Sequence, residues 1–117
     1  MALSIGMVTI DCVDPRGLAK FWTAALGTEV MMDMDGAFLM LAPSSDGGPA
    51  VALQQVPEPR TGKNRVHIDL RADDREREIE RLTALGATVV DEQVVPGLTW
   101  TVLTDPEDNV FCVGQYA

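Results

Sequence analysis

Residues 7–27, MVTIDCVDPRGLAKFWTAALG, and residues 67–86, HIDLRADDREREIERLTALG, spell one plan twice. In the first stretch apolar residues alternate, with Val8, Ile10 and Cys12 on one face and Met7, Thr9 and Asp11 on the other. That is the period of a half-buried strand over Met7 to Val13. Asp14 then offers a capping carboxylate, and Pro15 suits the first helical position, where a missing N–H costs nothing. Leu18, Phe21, Trp22, Ala25 and Leu26 follow at helical spacing and make one apolar stripe. Gly27 supplies the stop.

The second stretch repeats this order. Val66, Ile68, Leu70 and Ala72 alternate with His67, Asp69 and Arg71. Asp73 is read as the cap, with Glu76 at capping-box spacing. Ile79, Leu82 and Leu85 form the expected buried stripe, and Gly86 ends the helix. Met7-x6-Asp14 matches His67-x6-Asp74 at an offset of sixty, and Leu26-Gly27 matches Leu85-Gly86 at fifty-nine.

Each stretch is followed by three short strand candidates. These are Glu29 to Met32, Phe38 to Leu41 and Val51 to Val56 in the first half, and Thr88 to Asp91, Thr99 to Leu103 and Val110 to Val113 in the second. Asp35-Gly36, the run Ser44 to Pro49 and Asp105 to Asn109 carry turn chemistry between them. Six element types recurring in one order read as a duplication. The expected fold is α+β: two tandem βαβββ modules forming a curved mixed sheet with a cleft, helices outside. Module one covers about 5–56, a Pro- and Gly-rich linker 57–64, and module two about 65–115, within one domain of 117 residues.

Composition narrows the function classes. A formal net charge of −9 opposes nucleic acid and anionic membranes, which call for a basic footprint, and would suit a cationic ligand. The opening residues Met1 to Met7 lack a basic segment and a long apolar run, so no export signal is expected and the cytoplasm is the predicted compartment. No apolar stretch reaches the roughly 20 residues of a membrane span. Cys12 and Cys112 are then expected as free thiols.

If the helix packs on one face of each sheet, the other face lines the cleft. Met7, Thr9, Asp11, His67, Asp69 and Arg71 belong to that face, with Gln54 and Cys112 if the fourth strands keep the alternation. Asp11 and Asp69 occupy equivalent positions. They would hold a cationic ligand or share a proton, or else pair with Arg71, Arg65 or Lys63. His67, the sole histidine, is the best catalytic candidate, as a general base or ligand-orienting group. The bland alternative is a bond to Asp69 or to a backbone carbonyl. Cys112 would be a nucleophile only if His67 lowered its pKa; an inert strand cysteine is the default. Trp22 belongs to the helical stripe. Trp100 is either core or an aromatic wall for an organic ligand, and Phe38 and Met40 share that ambiguity.

The paired runs quoted above resemble the vicinal oxygen chelate superfamily, which includes glyoxalase I, extradiol dioxygenases and the bleomycin and fosfomycin resistance proteins. The tail 104–113, TDPEDNVFCV, resembles that group's turn into its last strand, and 53–71, LQQVPEPRTGKNRVHIDLR, looks like a glyoxalase-like subgroup. The resemblance implies metal ligands at the start of each module's first strand and on each last strand. Carried over, these are Met7, Gln54 (with Gln55 competing), His67 and Cys112. Met7 stands where a histidine is usual and Cys112 where a glutamate is usual. A thioether and a thiol suit soft metals rather than Mn²⁺, Fe²⁺ or Ni²⁺. The expectation is therefore no cofactor; were a metal present, Gln54, His67 and Cys112 would hold it.

Three functions remain. The first is metal-free binding of a small organic molecule, with Asp11, Asp69 and Gln54 as anchors, Met7 and Trp100 as apolar walls, and Thr9, His67 and Cys112 beside them. The second is a lyase, isomerase or dioxygenase, metal-dependent or using His67 and Asp69. The third is a dimeric accessory module. Homodimers are expected from the resemblance.

Overall fold

The computed structural model describes residues 3–116; Met1 and Ala2, part of the opening read above for an export signal, and Ala117 lie outside them. The described residues form eight strands and two helices, and the chain divides into two compact units between Pro59 and Arg60. No helix among them is long and apolar enough to cross a membrane.

The first unit runs β1 (Met7–Cys12), α1 (Pro15–Leu26), β2 (Val30–Met34), β3 (Phe38–Leu41) and β4 (Ala50–Gln55). Its sheet has the order β1-β4-β3-β2, with β1 parallel to β4 and the other pairs antiparallel. The Asp14 carboxylate accepts from the Gly17 N–H, Pro15 opens the helix, and Gly27 closes it at φ 64°, a left-handed conformation suited to glycine. Leu18, Phe21 and Trp22 are buried with Ile10, Leu39, Leu41 and Leu53, the helix lying on β3 and β4. Each such side chain contributes about 1.5–3 kcal/mol on burial. Trp22 meets Phe21 edge to face at 5.1 Å, so its reading as core holds. Ala25 and Leu26 complete the stripe only at half burial.

The second unit repeats the plan: β5 (Ile68–Arg71), α2 (Arg75–Ala84), β6 (Thr88–Val95), β7 (Leu98–Thr104) and β8 (Val110–Tyr116), with sheet order β5-β8-β7-β6. Here several expectations are corrected. The helix cap is Asp74, whose carboxylate accepts from Arg77 N–H, and not Asp73. This keeps the sixty-residue offset from Asp14. Of the expected stripe only Leu82 is buried; Ile79 is half-buried and Leu85 is exposed at the helix end. The strand begins at Ile68, so Val66 is exposed and His67 precedes the pairing. Strands β6, β7 and β8 are longer than their apolar cores, and Pro96-Gly97 turns β6 into β7.

A polar clip supplements the thin apolar contact of α2. Arg75, its first residue, donates through Nη1 to the buried Thr101 hydroxyl at 2.7 Å and to Glu92 at 3.2 Å. Its backbone N–H donates to Gln115 Oε1 at 2.7 Å. The Asp105–Asn109 turn is organised by the buried Asp105 carboxylate, which accepts from the Glu107 and Asn109 N–H groups.

Candidate binding pocket

Register decides which side chains share a face. In the second sheet Asp69 stands beside Cys112 and Val102, while Arg71 stands beside Gly114 and Trp100. Ile68, Phe111 and Leu103 point the opposite way, as do Leu70, Val113 and Thr101. The Arg75 clip lands on Thr101, so the second set faces the helix. Asp69, Arg71, Trp100, Cys112 and Gly114 of the first set line a concavity of about 560 Å³, with His67, Leu98 and, from the other set, Leu70. Trp100 is therefore a pocket wall and not core.

Cys112 is 5% exposed, and burial together with the neighbouring Asp69 carboxylate pushes its thiol up to about 11. The thiol stays protonated at neutral pH. That disfavours the thiolate a nucleophile needs. His67 sits at the rim, its Nε2 3.2 Å from the Asn64 carbonyl oxygen. A carbonyl can only accept, so Nε2 carries the proton in this contact. This is the backbone-carbonyl alternative weighed from the sequence. Asn64 in turn accepts the Val110 N–H on its side-chain oxygen at 3.2 Å, tying the segment before β5 to the start of β8.

The remaining expected site residues belong to the first unit. Asp11 lies in register with Gln54, Phe38 and Met34, and Thr9 with Ala52, Met40 and Met32. Met7, Thr9, Asp11 and Gln54 are exposed, on the sheet face away from α1; Phe38 and Met40 are half-buried on that face. Cys12 points to the helix side, where its thiol donates to the Gln54 carbonyl oxygen at 3.7 Å. Both cysteines are buried, and neither is in a disulfide.

Three lining residues escaped the sequence reading: Leu70, which was placed on the opposite face, Leu98 and Gly114. For the last two the signal was present: alternation continued back from Trp100 reaches Leu98, and forward from Cys112 reaches Gly114. Ending the strands at Thr99 and Val113 hid it.

The ligand positions implied by the resemblance do not fit a hard divalent metal. They hold a thioether, a thiol, an amide and a single imidazole, with no carboxylate among them. Among the described residues, no three His, Cys, Asp or Glu side chains stand together to hold a metal ion.

Known structures share this fold. A glyoxalase/bleomycin resistance protein/dioxygenase family enzyme from Burkholderia phytofirmans PsJN is similar with a TM-score of 0.81 at 18% identity, over 98% of this chain and 100% of that one. A lactoylglutathione lyase from Agrobacterium tumefaciens gives 0.72 at 20%, over 96% and 92%. An antibiotic binding protein from Streptomyces sp. CB03234 gives 0.73 at 23%, over 100% and 99%. A search of curated proteins returns no match. The model of the glyoxalase-like domain matches residues 7–114. With its two βαβββ units and that match over nearly the whole sequence, the chain belongs to the glyoxalase-like family.

Proposed function

We propose that the protein binds a small organic molecule in the pocket of its second unit without a metal ion. The observation that carries this is the pocket: about 560 Å³, with Trp100 and Leu98 as apolar walls and His67, Asp69 and Arg71 as polar anchors. That size and mixture suit a small-molecule site. The buried, protonated Cys112 is a poor nucleophile, and the implied ligand positions hold one imidazole and no carboxylate, which favours metal-free binding over catalysis. The antibiotic binding protein among the structural relatives is a precedent for binding on this fold. The first sheet's open face, with Thr9, Asp11 and Gln54 among methionines, has related chemistry, and Asp11→Asn tests whether it takes part.

The test is a screen of organic molecules against chelator-treated protein, read by tryptophan emission. Trp22 is 1% exposed, so Trp100 is the tryptophan a pocket ligand touches. The proposal expects hits that survive EDTA and are lost in Trp100→Ala. Hits that require added metal, or turnover abolished by His67→Ala, would favour the enzyme reading instead.

Self-association has its own support in β6. This is the edge strand of its sheet, and Val89, Val90, Val94 and Val95 are all exposed on it. The valine pairs flank Glu92 symmetrically, so antiparallel pairing with a second copy would set valines opposite valines. We propose that copies meet there. Light scattering of Val94→Lys should show a monomer where the parent is a dimer; a monomeric parent, or a dimer indifferent to the change, would refute it.

A further inference from the structure

The pocket floor is a grid of two rows. One holds Arg71, Gly114 and Trp100; the other, two residues along β5 and β8, holds Asp69 and Cys112. Successive same-face residues on a strand are roughly 7 Å apart. The floor therefore carries one cationic and one anionic side chain two residues apart on β5, while Cys112 remains neutral.

Gly114 leaves the middle of the first row bare. A Cβ there would stand 3.6 Å from Leu98 Cδ1 and 3.7 Å from Trp100 Cβ. A side chain at 114 would fit the fold but would occupy the space between those walls. With glycine, the backbone is open to a flat group lying against Leu98 and Trp100.

Charge then selects among flat molecules. A simple organic cation attracted to Asp69 meets Arg71, and a simple anion attracted to Arg71 meets Asp69. A molecule carrying both charges satisfies both. Resting on the pocket reading above, we propose that the ligand is a planar amphoteric molecule. Its aromatic ring lies over Gly114 against Trp100 and Leu98, its anionic group meets Arg71, and its cationic group meets Asp69. This narrows the cationic preference expected from net charge alone.

The test uses four probes on one ring: 4-(aminomethyl)benzoate, 4-methylbenzoate, 4-methylbenzylamine and 4-methylbenzyl alcohol. Affinities are read from Trp100 emission in the parent, Arg71→Gln, Asp69→Asn and Gly114→Val, with near-UV circular dichroism confirming the fold of each. The expected result is that 4-(aminomethyl)benzoate binds at least about tenfold more tightly than either singly charged probe. Arg71→Gln should erase its advantage over the amine, Asp69→Asn its advantage over the benzoate, and Gly114→Val should weaken all four. If the amine binds as tightly as the amphoteric probe and Arg71→Gln leaves it unchanged or improved, the amphoteric selection is overturned while the pocket reading stands. If no probe perturbs Trp100 at high millimolar concentration, both are overturned.

Discussion

Replacing Asp69 with asparagine should make Cys112 a more ordinary thiol, and the size of that change follows from its surroundings. Cys112 is held near 11 against an ordinary 9.0, by burial first and then by the adjacent carboxylate. Two units mean a thiolate population about a hundredfold smaller at pH 8 than for a free cysteine. Asparagine keeps the shape at residue 69 and removes the charge, but burial remains. The alkylation midpoint should therefore fall only part of the way towards 9.0. The assay is iodoacetamide labelling across pH 7–12, resolved by peptide mass spectrometry so that Cys12 and Cys112 are followed separately. A Cys112 midpoint at or below 9 in the parent, or one unmoved by Asp69→Asn, would refute the reasoning. The same shift bears on stability. The folded state holds the Cys112 proton more firmly than the unfolded chain, so its contribution is complete below about pH 9 and is lost as pH rises towards 11.

Three further outcomes are expected. Asp74→Ala should cost about 1 kcal/mol in urea unfolding and Asp73→Ala close to nothing, because only Asp74 accepts a helix N–H. Arg75→Ala should cost about 2 kcal/mol by the same assay, since it leaves the buried Thr101 hydroxyl without its charged donor and unfastens α2. Asp33, whose carboxyl is held low by its bonds from Arg16 and the Gly36 N–H, should support the β2–β3 hairpin above the ordinary carboxylate range. That support should fade as acid protonates it, and Asp33→Asn should flatten this part of the acid stability profile.

The fold was legible where two rules agree. At Met7–Cys12 strand alternation leads into a capping aspartate and a proline, and both boundaries follow from local chemistry. At Asp73-Asp74 two adjacent carboxylates satisfy the same rule, and only the backbone geometry chooses between them. Strand β6 was truncated at Asp91 because all eight of its residues are exposed, so an edge strand with no buried face has no alternation to read. The pocket was half legible. His67, Asp69, Trp100 and Cys112 came from alternation and resemblance. Gly114 did not, because its role is an absent side chain, visible only once Leu98 and Trp100 stand beside it.

Shared fold separates function poorly here, since a lyase and an antibiotic binding protein both overlay this chain. The distinction rests on donor chemistry at a few positions. The resemblance implies a histidine and a glutamate where Met7 and Cys112 stand, and a thioether and a thiol are softer donors than those.

Metal binding is therefore the most direct test of the central claim that the site works without a metal. Protein purified without chelator would be analysed for metal and titrated with Zn²⁺, Ni²⁺ and Mn²⁺ by calorimetry. The account predicts no stoichiometric metal and no heat of binding at micromolar concentration. Tight one-to-one binding that disappears in His67→Ala would contradict it.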